Sequence, residues 1–168
     1  ELREGFGWDG IDAQTRVFGV VGDPVAHSMS PKLFNHWFRQ HSYNAVYLPL
    51  RVGTGQGGLA PFLQECERRP WLNVSGLAVT IPHKVAALSW AGDAADPMSR
   101  GIGAANTLVL GEDGPAAYNT DCYAAVDSLA SALGRQRNEL TGLTVDVLGT
   151  GGASRAVCYG LAEMGCRL

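Results

Sequence analysis

A chain of 168 residues suffices for one ordinary domain or two small ones, and 46% hydrophobic against 17% charged residues excludes bulk disorder. Thirteen basic and sixteen acidic side chains give a net charge of −3 with no basic block, which argues against a nucleic-acid surface or polybasic membrane patch and for a small-molecule partner. No apolar run reaches the roughly 18 residues of a membrane helix, the start lacks signal-peptide order, and Cys66, Cys122, Cys158 and Cys166 form no C-x-x-C pair, so a cytoplasmic protein with neither zinc site nor disulfide framework is expected.

Residues 1–16 are polar and aperiodic and are expected to be a tail or linker outside the fold. Val17-Phe18-Gly19-Val20-Val21, closed by Gly22-Asp23-Pro24, predicts a strand buried on both faces. Ser30-Pro31 then opens a helix, with Ser as a favoured N-cap, Pro tolerated in the first turn, and Leu33, Phe34, Trp37 and Phe38 as its apolar face. Ala45–Leu50 reads as a second strand with Pro49 near its end, and Gly53–Gly58 as a loop. Leu59, Phe62, Leu63 and Cys66 mark a helix that stops at Pro70-Trp71; Leu77–Thr80 is a third strand, ended by Ile81-Pro82 and followed by a helix over 83–90. Asn106–Leu110 and Ala116–Tyr118, joined by Gly111-Glu112-Asp113-Gly114, predict a hairpin that makes a mainly parallel sheet mixed.

Tyr123, Val126, Leu129, Ala130 and Leu133 place a long helix from Asp121 to Leu133, ended by Gly134, and a domain boundary is expected along it. Leu143–Leu148 is expected to be a strand that runs into Gly149-Thr150-Gly151-Gly152 and a helix over 153–164. One strand and one helix fall short of a βαβ unit, so the second domain is expected to be incomplete within these residues, with an apolar face and a sheet edge unpaired from Leu143 onward. The predicted organisation is therefore α/β: a mixed, mainly parallel substrate domain over 17–125, then the start of a Rossmann-type dinucleotide domain over 126–168.

Three constellations carry chemistry. In the turn after Leu148, Gly149, Gly151 and Gly152 allow close approach, and the helix start at Ala153, Ser154 and Arg155 offers N–H groups to a pyrophosphate; a tight βα turn without a ligand is the alternative. Ser28 and Ser30 set two hydroxyls at a helix start, where a carboxylate is a natural guest, unless Ser30 merely caps the helix and Ser28 merely decorates the turn. Lys84 and Asp121 each follow a strand end and could share a proton task at a carbonyl oxygen; singly, each also reads as a surface charge, and Asp121 as a helix cap. His27, His36, His41 and His83 show no metal spacing and read as ordinary polar or half-buried residues.

Gly22-Asp23-Pro24 with Ser28-Met29-Ser30-Pro31, Val79–Lys84, Gly103–Thr107, Asn119-Thr120-Asp121 and Gly149–Ala156 together resemble, in order, the motif series of the shikimate dehydrogenase family. The resemblance implies an NADP-dependent oxidoreductase that interconverts 3-dehydroshikimate and shikimate. It implies that Ser28 and Ser30 hold the substrate carboxylate, that Thr80, Asn106 and Asp121 hold ring hydroxyls, and that Lys84 and Asp121 are the catalytic pair. Gly149, Gly151, Gly152, Ala153, Ser154 and Arg155 would hold NADP. Ala78, Val85 and Ala124 depart from residues common in the family without removing a proposed catalytic group. Gly7-Trp8-Asp9 is similar to the junction of fused forms in which a dehydroquinate dehydratase precedes the dehydrogenase. The rival readings are a quinate dehydrogenase, from which Ser30 leans away, and a non-catalytic sensor of the same ring acids.

Overall fold

The computed structural model describes residues 10–111 and 114–168. Gly7-Trp8-Asp9 and the central turn residues Glu112 and Asp113 lie outside the described residues. Five strands form one sheet in the order β2-β1-β3-β4-β5: β1 (Arg16–Gly22), β2 (Ala45–Arg51), β3 (Val74–Val79), β4 (Thr107–Gly111) and β5 (Gly114–Tyr118). β1 pairs in parallel with β2 and β3, whereas β4 runs antiparallel to both β3 and β5, so the expected mixed sheet is present. Pro49 is accommodated because β2 is an edge strand.

The helices are α1 (Ser30–Gln40), α2 (Leu59–Arg68), α3 (Lys84–Ala91), α4 (Pro97–Ile102), α5 (Asp121–Ala132) and α6 (Gly152–Glu163). Alternation along the strands sorts the core into two layers. Val21, Leu77, Val79, Leu108 and Ala117 pack with Leu59 and Leu63 of α2 and Ala87 and Ala91 of α3. On the opposite face Val20 and Tyr47 join Val25, from the loop after β1, and Phe38 of α1. Cysteines 66, 122, 158 and 166 are all unpaired. Among the described residues no helix is long and apolar enough to cross a membrane.

Four expectations need correction. Residues 10–16 are not outside the fold: Thr15 is buried and bonds Asp12 and Asn44, and Arg16 opens β1 while its guanidinium donates to Ser75 and Tyr43. The apolar stripe assigned to α1 is largely in solvent, with Leu33 65% and Trp37 47% exposed, because the helix meets the sheet through Pro31, Asn35 and Phe38. Asn35 wins its inward place by bonding both backbone groups of Tyr47: its Nδ2 donates to the carbonyl at 2.9 Å and its Oδ1 accepts the N–H at 2.8 Å. Helix α4 was not expected; Asp96 caps it by accepting the Ser99 N–H at 3.0 Å, with Pro97 in its first turn.

The fourth correction concerns Leu143–Leu148. Among the described residues its only ladder contact is one parallel bridge, Thr144 to Arg167. A strand requires a row of facing N–H and C=O groups, and one bridge does not provide it. Three of its apolar residues nevertheless find cover, as Leu143, Val145 and Val147 lie against a cluster of Val126, Ala130, Leu140 and Leu161 that joins α5 to α6, whereas Leu148 stays 97% exposed.

Candidate active site

The topology directs chemistry to one edge of the sheet. β1 and β3 both end there, β4 starts there, and β5 ends there, as the row Ala78–Thr107–Tyr118 across the ladders shows. Residues that follow β1 and β3, precede β4 and follow β5 therefore converge without being near in sequence. The result is a cleft of about 400 Å³ lined by Val20, Val25, Ala78 and Val79 on its apolar side and by Ser28, Ser30, Thr80, Lys84, Asn106 and Asp121 on its polar side. All six residues singled out as substrate-facing or catalytic line this one cleft.

At its centre Lys84 Nζ donates to Asp121 Oδ2 at 2.5 Å, with the two side chains 14% and 32% exposed. Lys84 is the first residue of α3 and Asp121 the first of α5, so both charges sit on rigid elements. The surrounding bonds over-determine the carboxylate. Asn106 Nδ2 donates to Asp121 Oδ1 at 2.8 Å, and Asn106 Oδ1 accepts the Thr120 N–H at 2.9 Å. Asn119, fully enclosed, accepts the Asp121 N–H at 3.1 Å and donates to the Ala104 carbonyl at 2.9 Å. The reading of Asp121 as a mere helix cap therefore fails: Thr120 is the N-cap and the Asp121 carboxylate is committed to Lys84 and Asn106. The motif Asn119-Thr120-Asp121 carries the role of Asn119 locally, since an Asn two residues before a helix start is a readable Asx-turn signal.

At the other end of the cleft, α1 begins at Ser30 itself, with Met29 as N-cap and no side-chain cap. Ser30 is thus not the cap it resembled. Ser28 Oγ instead accepts the Ser30 N–H at 3.3 Å, which places both hydroxyls at the positive end of an 11-residue helix. His83, read as an ordinary polar residue, is buried and fixes the start of α3, its Nε2 lying 2.7 Å from the Val52 carbonyl. No cluster of three or more metal-ligating side chains occurs among the described residues.

The glycine-rich turn reaches Lys84 through Gly152. α6 begins at Gly152 with Gly151 as an N-cap that contributes no side-chain bond, so its first N–H groups are not satisfied by a side-chain cap. Gly149 adopts a φ of +135°, which favours glycine. A Cβ on Gly152 would come within 2.8 Å of Lys84 Cβ, so the turn lies directly against the catalytic candidate. Ala153 and Ser154 stand in the first turn of α6, Ser154 Oγ donating back to the Gly151 carbonyl at 2.8 Å. The Arg155 guanidinium donates to the Gly103 carbonyl at 3.3 Å. The uncapped N–H groups and the glycine backbone fit a dinucleotide pyrophosphate, whereas Arg155 as placed fits a structural tie better than a phosphate contact.

Comparison with known proteins bears on this geometry. The substrate binding domain of shikimate dehydrogenase, as a family, matches residues 20–108, which includes the cleft from β1 to the start of β4. The chain belongs to the shikimate dehydrogenase family. Similar family members include shikimate dehydrogenase (NADP(+)) of Hyphomonas neptunium, 41% identical over 154 residues that make up 92% of this chain and 53% of that protein. The bifunctional chloroplastic 3-dehydroquinate dehydratase/shikimate dehydrogenase of Arabidopsis thaliana is 34% identical over the whole chain, which spans 28% of it. Among solved structures, shikimate dehydrogenase of Aquifex aeolicus superposes with a TM-score of 0.78 at 35% identity, covering 93% of this chain and 55% of that one. The Thermus thermophilus enzyme, solved with NADP(H) and shikimate, gives 0.71 at 33% identity, covering 90% and 54%. The chain spans about half the length of the single-function family members it matches.

Proposed function

We propose that this chain forms the shikimate-binding and proton-transferring part of an NADP-dependent shikimate dehydrogenase that interconverts 3-dehydroshikimate and shikimate. The observation that carries the reading is the convergence of Ser28, Ser30, Thr80, Lys84, Asn106 and Asp121 on one cleft. The substrate pairs a carboxylate with a ring bearing hydroxyls, and the cleft pairs a helix N-terminus carrying two hydroxyls with a set of polar groups about Asp121. Ser28 and Ser30 bind the carboxylate by charge-assisted hydrogen bonds, and Thr80, Asn106 and Asp121 orient the ring. Asn106 spends its amide group on Asp121 and Thr120, so its larger service is to aim the carboxylate.

When the ketone is reduced, its oxygen must gain a proton as its carbon gains a hydride. Lys84 holds that proton at Nζ and delivers it to the oxygen, while Asp121 keeps the ammonium aimed and its charge balanced. The reverse direction returns the proton to Lys84. Gly149, Gly151, Gly152, Ala153 and Ser154 would hold the pyrophosphate of a nicotinamide dinucleotide, which when bound would supply or accept the hydride. The choice of NADP over NAD rests on the names of the relatives, which are NADP(+) enzymes. The division into a shikimate domain over 17–125 and the opening of a Rossmann-type domain over 126–168 belongs to the same reading. So do a fused upstream dehydratase, which the Arabidopsis alignment over the whole chain supports, and a reducing, cytoplasmic location, which suits four unpaired cysteines.

An intact Lys84–Asp121 pair is superfluous to a sensor that only binds ring acids, which favours the enzyme. The decisive test offers the full-length gene product shikimate or quinate with NADP+ or NAD+ and follows reduced cofactor. Shikimate-dependent formation of NADPH is the expected result, and turnover of quinate alone, or of neither acid, would overturn the reading.

A further inference from the structure

Tyr47 is 5% exposed, yet its hydroxyl is buried without a hydrogen-bond partner. Such an orphan costs stability, and it persists where something else fixes the residue. Here the fixing is visible. Asn35 of α1 clamps both backbone groups of Tyr47, and the Phe34 ring stacks on the Tyr47 ring with centroids 4.7 Å apart at 12°. Both contacts come from the turn of α1 that follows Ser30. They hold the phenol ring against the face of that helix that carries Phe34 and, one turn earlier, Ser30, in the same buried cluster as Val20 and Val25, which line the cleft. Burial pushes the phenol up to about 12, an effect that the neighbouring Ser30 hydroxyl partly offsets. The phenol is therefore a neutral donor throughout the working range.

We propose that Tyr47 is a positioning residue for the carboxylate pocket: its O–H donates to Ser30 Oγ when substrate enters, which commits the Ser30 proton to the carboxylate. A carboxylate accepts and never donates, whereas a serine hydroxyl carries one proton and can aim it anywhere its rotor allows. A second hydroxyl donating into Ser30 Oγ removes the wrong choice. The orphaned phenol thus gains its partner in the bound state, and part of the cost of leaving it unpaired returns as affinity. The inference rests on the assignment of Ser30 to the carboxylate.

The test compares Tyr47→Phe, Ser30→Ala and the double variant in the full-length gene product, with shikimate and with its methyl ester, which lacks the charged carboxylate. Tyr47→Phe is expected to raise KM for shikimate about three- to tenfold with kcat unchanged, and to have little effect on the methyl ester. Its effect should vanish in the Ser30→Ala background. The ligand-free Tm should hold or rise, since only an unpaired hydroxyl is removed. An unchanged KM in Tyr47→Phe beside a raised KM in Ser30→Ala overturns the role of Tyr47 alone. An unchanged KM in Ser30→Ala removes the carboxylate assignment and the inference with it. A fall of several degrees in Tm, or equal losses on acid and ester, would mark Tyr47 as a packing residue and refute the proposal.

Discussion

Gly152→Ala is the substitution whose consequence the structure defines most closely. The added Cβ would sit 2.8 Å from Lys84 Cβ, 3.2 Å from Lys84 Cδ and 3.3 Å from Ala104 Cβ, where ordinary carbon contacts lie at about 3.5–4.0 Å. Something must give by about 1 Å. Ala104 is fully buried and does not yield. Lys84 Cβ is no flexible tip either: it hangs from the first residue of α3, whose carbonyl is held by the Ala105 N–H at 2.9 Å. The displacement therefore passes to the Lys84 ammonium and its 2.5 Å bond to Asp121. Overpacking of this kind costs about 1–3 kcal/mol of stability. A misplacement of about 1 Å at a reacting group costs up to about 10²-fold in rate. The assay is kcat for shikimate oxidation in the full-length gene product, with Tm in parallel and shikimate affinity as a control, since Ser28 and Ser30 lie at the other end of the cleft. Unchanged kcat and Tm would show that α6 does not rest on Lys84, and the coupling between the glycine-rich turn and the Lys84–Asp121 pair would be wrong.

Lys84→Ala should lower kcat by about 10²- to 10⁴-fold while shikimate affinity changes far less, as steady-state kinetics and calorimetry would show; a kcat within two- or threefold of the parent would remove Lys84 from proton transfer. Asn119→Ala leaves the Asp121 N–H and the Ala104 carbonyl without their partner in a closed interior, so denaturant unfolding should reveal a loss of about 1–3 kcal/mol together with a fall in kcat. Burial, assisted by the charge of Glu163, pushes the Cys122 thiol up, and the native protein should leave Cys122 unmodified by a thiol reagent at mildly alkaline pH until it is unfolded, as mass spectrometry of the labelled peptides would check.

The sequence made the site more legible than the packing. Ser28, Ser30, Thr80, Lys84, Asn106 and Asp121 stand at ends of elements, and ends are marked by local signals such as Ser-Pro, Ile-Pro and Asn-Thr-Asp. What escaped depends on distant partners. The stripe Leu33, Phe34, Trp37 and Phe38 has helical spacing, but which side of α1 faces the sheet is decided by Asn35 and its bonds to Tyr47. Leu143–Leu148 has the alternation of a strand, yet a strand exists only through its neighbours, and one bridge to Arg167 is all it finds among the described residues. The short helix α4 did carry a local signal, Asp96-Pro97 with Ser99 three residues after the cap, that apolar periodicity over six residues is too brief to reveal. The contact of Gly152 with Lys84 joins residues far apart in the chain and has no local signature.

The central claim is that this cleft recognises shikimate through its carboxylate, and calorimetric titration of shikimate into the 168-residue chain tests it most directly. The account predicts saturable one-to-one binding that Ser28→Ala combined with Ser30→Ala abolishes or weakens by well over tenfold, since two charge-assisted hydrogen bonds worth about 1.5–3 kcal/mol each are lost. Binding that is equally strong in the double variant, or no binding to the parent chain at millimolar shikimate, would contradict it.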